Sequence, residues 1–265
     1  MEVLFEVLEE TIIMLPMLFI MYLILEYSEL HNYHFLDKLK KQGPLYGALL
    51  GVIPQCGISV IASILFLERK ITIGTLISIY IATSDEAIPL LLSNPSMSKI
   101  TLSVVVVKFI TAIIFGYLID YFIKIDFEKK EIKHHHHDHS LWKCAIERTL
   151  KIYLFIFVIH LGLSYLFEYI GEDTLSVILL NQSYLQPIVS SFFGIIPHCV
   201  VSVVLTELYS NGLLSFASLI SGLMSNAGMG LLVLIEYKIN PKVFAQVIGI
   251  LLGCSIIAGI VIQIL

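Results

Sequence analysis

Two ten-residue stretches lie 143 positions apart in this sequence: Gly51-Val-Ile-Pro-Gln-Cys-Gly-Ile-Ser-Val60 and Gly194-Ile-Ile-Pro-His-Cys-Val-Val-Ser-Val203. Six of the ten positions are identical, namely the first Gly, Ile, Pro, Cys, Ser and the last Val. Leu, Ile and Val recur by chance in apolar segments, but a shared Pro, Cys and Ser in register is harder to obtain. The pattern therefore predicts that one half of the chain is a copy of the other.

The composition indicates a polytopic membrane protein. Of the 265 residues, 57% are hydrophobic and 14% charged, and the mean hydropathy is +0.90, whereas soluble domains carry about 25% charged residues. The net charge of −5 does not favour a nucleic-acid partner, and four scattered cysteines without a C-x-x-C spacing indicate neither a disulfide framework nor a zinc knuckle. Crossing the hydrocarbon layer takes about 20 residues of helix. Apolar stretches of this order lie near 11–27, 43–67, 71–93, 100–123, 149–170, 184–208, 212–235 and 243–265.

The distribution of basic residues predicts how these segments are arranged. If segments 43–67 and 184–208, each broken by Gly-x-Ile-Pro, are re-entrant hairpins, most of the 16 basic residues lie inside, as the positive-inside rule requires. Each half then has three crossings and one hairpin, and the second half is inverted, an architecture typical of secondary transporters. The expected fold is all-α, with repeats at 1–123 and 149–265 and a cytoplasmic loop at 124–148. Both chain ends are expected outside.

The two interrupted segments are the expected binding site, because irregular chain at membrane depth is tolerated only where protein or water covers it. Pro54 and Pro197 lack an N–H and fix φ, which suits the first residue of an outgoing half-helix. The free amides that follow would favour an anion or a thiolate. Thiolate and imidazole are ligands for zinc-like and heavier metals. Candidate ligands at the two tips are Gln55, Cys56, Ser59, His198, Cys199 and Ser202.

Asp85 and Glu86 follow Ser84 inside an apolar segment. An ionised group at membrane depth costs at least ~2.5 kcal/mol on insertion scales, which marks a functional position with a partner. That partner is a cation, a proton or Lys108, which is also the coupling candidate; an interfacial location is the structural alternative. If the offset between the two halves is shortened by two residues, Asn226 in the second half aligns with Asp85. The expected metal ligands are Cys56, Asp85, Glu86, His198 and Cys199.

A histidine-rich run lies in the polar stretch between the two halves. Its members are His134, His135, His136, His137, Asp138 and His139. Imidazoles at this density bind transition metals weakly and exchangeably, which predicts an accessory metal loop on the cytoplasmic side. The interior position and the interrupting aspartate favour a native segment over an engineered tag.

These motifs resemble those of the ten-helix heavy-metal exporters, a family described as manganese transporters or arsenic efflux proteins. The resemblance rests on the motif at 51–57, its echo at 194–199, Ser-Asp-Glu-Ala-Ile-Pro at 84–89 and the His-rich loop, and it covers nearly the whole chain. It implies export of a metal or metalloid across a bacterial inner membrane. The functional positions that it implies are Gln55, Cys56, Ser84, Asp85, Glu86, His198, Cys199 and Asn226. Val200 replaces the glycine of the first motif, and the two tips therefore need not contact substrate equally.

The expected function is secondary transport of a divalent transition metal or metalloid by alternating access, with substrate bound at mid-membrane between the hairpin tips. Carboxylates suit manganese, whereas cysteines suit zinc, cadmium or arsenic. Without a P-loop the energy comes from an ion gradient, the membrane potential or a partner ATPase, and proton exchange is the expected coupling.

The alternative function is transport of an anion or small organic solute bound by the opposed helix N-termini. An enzyme is disfavoured, since the sequence has no H-E-x-x-H or C-x-x-C motif. No cofactor is expected; the partners are the metal ion or solute and the lipid bilayer, with a homo-oligomer left open.

Overall fold

The computed structural model describes residues 42–53, 56–83, 87–93, 97–123, 141–170 and 185–265, and single positions between 8 and 20. This described part of the chain is helical and contains no strand. Its helices are α1 (Gly43–Gly51), α2 (Cys56–Leu67), α3 (Ile73–Ala82), α4 (Ala87–Ser93), α5 (Ser98–Phe122), α6 (Leu141–Ile170), α7 (Gln186–Gly194), α8 (Cys199–Ser210), α9 (Phe216–Ser225), α10 (Gly230–Glu236) and α11 (Pro241–Ile264).

Four spans in the described residues are long and apolar enough to cross a membrane. Two of them are the continuous helices α5 and α11. The other two are composite, Ile73–Leu92 and Phe216–Glu236, and each combines two shorter helices. The prediction of an all-helical, polytopic membrane protein is confirmed at this level.

Helices α1–α5 and α7–α11 form two corresponding sets. Each helix of the second set begins 143 residues after its counterpart, as Gly43 and Gln186 or Ser98 and Pro241 do. The first four pairs have equal lengths of 9, 12, 10 and 7 residues, and α5 and α11 have 25 and 24. The correspondence seen between the two sequence motifs therefore extends through five helices.

The same hydrogen bonds recur at this offset. Ser78 donates its hydroxyl to the carbonyl of Pro44 at 2.7 Å, and Ser221 donates to Pro187 at 2.8 Å. These bonds fasten α1 to α3 and α7 to α9. Lipid provides no hydrophobic driving force for helices to associate, and hydrogen bonds between helices help to hold them together. The two hydroxyl–carbonyl bonds are therefore suited to a membrane interior.

The caps of the long broken spans also correspond. Thr72 caps α3 and Ser215 caps α9, and each hydroxyl accepts the amide three residues on at 3.2 Å. The carboxylate of Asp120 on α5 accepts the Thr72 hydroxyl at 2.7 Å, whereas the amide oxygen of Gln263 on α11 accepts the Ser215 hydroxyl at 3.2 Å. The first half therefore has a charge where the second half has a neutral amide.

The structure adds two interruptions and corrects one pairing. Segments 71–93 and 212–235 each contain two helices, because α3 ends at Ala82 before α4, and α9 ends at Ser225 before α10. The offset also stays at 143 across these interruptions, since α10 begins 143 residues after α4. Asn226 therefore corresponds to Thr83, the residue that follows α3, and not to Asp85.

Packing crosses between the two sets. Helix α2 packs against α10, and α8 packs against α4, although each pair combines helices from different halves. Helix α6 packs against α10, and Lys151 on α6 lies 3.6 Å from the carboxylate of Glu236. In each half, the helix that follows the Gly-x-Ile-Pro break, α2 or α8, thus packs against the second helix of the other half's broken span, α10 or α4.

We predict that Gly194→Ala lowers the apparent melting temperature. A Cβ on Gly194 would overlap the carbonyl oxygen of Gly222 and the hydroxyl of Ser225, and overpacking of this kind costs about 1–3 kcal/mol. The matched control is Gly249→Ala on α11, where nothing lies within 4 Å of the added carbon. This control should retain or gain stability, because alanine is the better helix former. Equal melting temperatures of the two variants in detergent would contradict the close approach of α7 and α9.

Candidate functional site

The interruptions of the helices lie beside one another within each half. A Cβ built on Gly51, the last residue of α1, would lie 2.7 Å from the carbonyl oxygen of Ile79 and 2.7 Å from the Cβ of Ala82. Gly194 at the end of α7 approaches Gly222 and Ser225 of α9 in the same way. In each half, the break at Gly-x-Ile-Pro therefore begins next to the end of the helix that opens the broken span.

The side chain of Lys108 connects the two halves near the ends of α3 and α9. Its side chain lies on α5 and is 1% exposed. The ammonium donates to the carbonyl oxygen of Thr83, just past α3, at 2.5 Å, and to that of Leu223, in the last turn of α9, at 2.9 Å. Carbonyls in the last turn of a helix have no partner within the helix and carry partial negative charge. The buried cation is therefore placed where two helix ends stabilise it.

His198 is a capping residue in this structure. It is fully buried and precedes α8, and its Nδ1 accepts the N–H of Val200 at 3.1 Å. A ring nitrogen that accepts a hydrogen bond carries no proton. In the neutral ring the proton is then on Nε2, which lies 3.2 Å from the hydroxyl of Ser164 on α6. A metal bound through either nitrogen would require the loss of one of these contacts.

Three further predicted site residues are described. Ser59 and Ser202 are buried, and their carbonyls accept the hydroxyls of Ser63 and Thr206 at 2.7 Å. The amide oxygen of Asn226 accepts the N–H of Gly228 at 3.0 Å, which closes the turn between α9 and α10.

Pro197 was expected to be the first residue of the outgoing half-helix, but α8 begins at Cys199 with His198 as its cap. The proline therefore lies two residues before the helix. The amide of Val200 was expected to be free for a ligand and is instead taken by the imidazole. This occupied amide weakens the case for an anion at this tip.

Several predicted positions lie outside the described residues. They are Pro54, Gln55, Ser84, Asp85, Glu86, His134, His135, His136, His137, Asp138 and His139. Cys56 and Cys199 are described as the first residues of α2 and α8, and nothing is described of their side chains. Within the described ranges, no group of three or more His, Cys, Asp or Glu residues could hold a metal ion.

A buried polar cluster near the tips escaped the sequence analysis. The hydroxyl oxygen of Ser63 on α2 lies 2.6 Å from the hydroxyl of Tyr80 on α3, and its one proton is shared between the carbonyls of Ser59 at 2.7 Å and Gly230 on α10 at 2.8 Å. A Cβ on Gly230 would lie 2.7 Å from the Tyr80 ring, which requires glycine there. The alignment of the two halves could have singled out Tyr80, since the second half has Leu223 at that position.

Interrupted helices and four apolar spans in the described residues are typical of a polytopic membrane protein. A family model described as "Putative, 10TM heavy-metal exporter" matches residues 11–161 and 149–265. The chain belongs to this family, which is a family of transporters and not of enzymes. No curated protein and no solved structure matches the chain. The resemblance inferred from the motifs is thereby confirmed. At a coarse level, membership of this family implies a metal ion as substrate and a membrane environment.

We predict that His198→Asn retains thermal stability and that His198→Ala lowers it by about 1 kcal/mol. Asparagine supplies a side-chain oxygen that caps a helix N-terminus, and alanine does not. The measurement is thermal unfolding of both purified variants beside the wild type. If both substitutions have the same effect on stability, the capping role of the imidazole is wrong. The stabilisation of each variant by added metal is measured as well. If both variants lose this stabilisation equally while only His198→Ala loses thermal stability, the imidazole also binds metal in another state.

Proposed function

We propose that this chain is a secondary transporter that exports a divalent transition metal or a metalloid across the cell membrane by alternating access. The observation that carries the proposal is the pair of interruptions in each half, at corresponding positions, with Lys108 hydrogen-bonded to both halves between them. Discontinuous helices that meet near mid-membrane form the substrate sites of many secondary transporters. The carrier would move one repeat against the other around this site.

The position of Gln186 supports a re-entrant hairpin at α7 and α8. Its amide nitrogen donates to the carbonyl of Leu213 at 2.9 Å, and its amide oxygen accepts the N–H of Ser215 at 2.9 Å. If α8 continued in the direction of α7, its end would lie about 30 Å from Gln186. Residues 211–213 can span only about 10 Å. These contacts support a second helix that returns toward the start of the first.

Inverted repeats follow from these hairpins by counting the crossings. With α1 and α2 as a hairpin, the broken span Ile73–Leu92 and the continuous α5 cross once each and return the chain to the side on which α1 begins. Helix α6 has 30 residues and a length of about 45 Å, which is enough to cross once. Helix α7 would then begin on the opposite side, and the repeat 149–265 would be inverted relative to 1–123. The His-rich loop 124–148 would be cytoplasmic and both chain ends outside.

The proposed ligands combine soft and hard donors. Cys56 and Cys199 begin α2 and α8, and Asp85 and Glu86 come between α3 and α4 in the sequence. Sulfur favours zinc, cadmium and trivalent arsenic, whereas carboxylates favour manganese. An anionic substrate is less well supported, because Val200 donates its amide to His198 and Lys108 donates to two carbonyls.

We predict that Asp85→Asn abolishes metal-dependent stabilisation and metal transport. The substitution retains size and removes the charge that would bind a cation or exchange a proton. Purified wild type and variant are screened by thermal shift with Mn²⁺, Zn²⁺, Cd²⁺ and arsenite, and with phosphate and a carboxylate as anions. Uptake of the stabilising metal is then measured in inside-out membrane vesicles.

The control for this experiment is Asp120→Asn, the same substitution at a carboxylate that caps α3 at its other end. It should lower stability modestly and leave the metal response intact. A metal response that survives Asp85→Asn would remove Asp85 from the site. Stabilisation of the wild type by anions and by no metal would contradict metal export and favour the anion alternative.

The proposed role of the His-rich loop has its own test. Deletion of residues 134–139 should raise the metal concentration that gives half-maximal transport and leave the maximal rate unchanged, because a site that only collects metal adds no transition-state interaction. Replacement of its five histidines by asparagine keeps the loop length and separates ligand chemistry from chain length. Complete loss of transport in a folded protein would mean that the loop belongs to the transport site.

A further inference from the structure

The ammonium group of Lys108 is bonded like a coordinated cation. It lies in the interior of the protein and donates to two main-chain carbonyl oxygens, one from each half of the chain. Thr83 follows the last residue of α3, and Leu223 lies two residues before the end of α9. Both oxygens are therefore at helix ends, where the helix dipole and the unpaired carbonyls attract positive charge.

Helix ends of this kind bind ions in other membrane transporters. Unwound carbonyls and the C-terminal ends of half-helices coordinate the coupling Na⁺ or H⁺ in carriers built from discontinuous helices. Here a covalently attached ammonium holds such a position. A lysine is a compact point charge on a flexible stem, and it can therefore leave a site and return to it without leaving the protein.

We propose that Thr83 and Leu223 form a cation site at the junction of the two halves, which Lys108 fills as a tethered counter-cation while the carrier is empty. Binding of the transported metal cation nearby displaces the ammonium, because two cations close together in a protein interior repel strongly. Displacement breaks the link between α3 and α9 and frees one half to move relative to the other. This role of Lys108 rests on the proposed function, whereas the cation site itself does not.

The second half provides a comparison at the corresponding position. Leu251 on α11 lies 143 residues after Lys108 and is fully buried. It is apolar and presents no charge to the corresponding carbonyls. Because the two positions share a helix location and burial, truncation of each side chain to alanine leaves a comparable space. They differ in whether that space adjoins a cation site.

The first test is chemical rescue. Lys108→Ala is purified as the full chain in detergent, and its apparent melting temperature is measured against increasing methylammonium, Na⁺ and K⁺, with choline as an ion too large for the space. We expect a saturable rise with methylammonium or an alkali cation, because a ligand that binds only the folded state stabilises it. Leu251→Ala under the same conditions should show no specific rise.

An equal response of the two variants, or a response to choline as large as that to methylammonium, overturns the cation site. If Lys108→Ala cannot be purified, Lys108→Met fills the space without a charge and is used for a second measurement. Loss of folding in both variants, with no recovery when methylammonium is present during purification, also overturns it.

The second test measures displacement. Lys108→Met should bind the metal that stabilises the wild type with about tenfold higher apparent affinity, the change expected if the ammonium blocks the competent state about nine-tenths of the time. Transport should be lost or uncoupled. Unchanged or weaker metal binding would reject displacement. If methylammonium rescues Lys108→Ala but no metal stabilises the wild type, the cation site stands and the proposed metal transport fails.

Discussion

Main-chain polar groups at buried helix ends are the constraint on which this structure depends. Lipid offers neither donors nor acceptors, and a helix that stops inside the membrane must have its ends satisfied by protein or by water. Lys108 serves two C-terminal ends, His198 serves the N-terminus of α8, and Asn226 closes the turn before α10. The residue types at the interruptions are therefore restricted by backbone chemistry before any substrate is considered.

This constraint connects the fold to the proposed transport cycle. A ligand that enters the site meets groups that already have partners, as the occupied Nδ1 of His198 illustrates. Binding then exchanges internal hydrogen bonds for bonds to the ligand, and the net affinity is the difference between the two sets. Interactions exchanged in this way also change how firmly helix pieces of the two halves are held together. Selectivity and movement would thus depend on the same few contacts.

The sequence allowed the class of the protein to be predicted. Apolar length indicated a membrane protein, and the repeated Gly-x-Ile-Pro motif marked two of the interruptions, since proline and glycine leave a visible signal. Hydropathy did not single out the interruptions after Ala82 and Ser225, because the few polar residues there lie in otherwise uniformly apolar segments, and hydropathy measures length and not hydrogen bonding. The same uniformity allowed a false two-residue shift that paired Asn226 with Asp85.

The contacts of individual site residues were harder to predict. The sequence indicated that Lys108 is a buried charge, but its acceptors are carbonyls, which every residue has and no sequence pattern distinguishes. It likewise identified His198 as a ligand candidate without showing that its Nδ1 accepts the N–H of Val200. For Asp85, Glu86 and the two cysteines, the roles in metal binding stay predictions.

The presence of lysine at 108 and leucine at 251 has a consequence for how such a protein can arise. Two identical, separately encoded halves that assembled into a dimer would each carry the lysine, and the junction would contain a pair of ammonium groups or none. Joining both halves in one polypeptide allows the copies to diverge at a single codon. A single lysine at this junction is therefore open to the fused chain and closed to a symmetric dimer of identical halves.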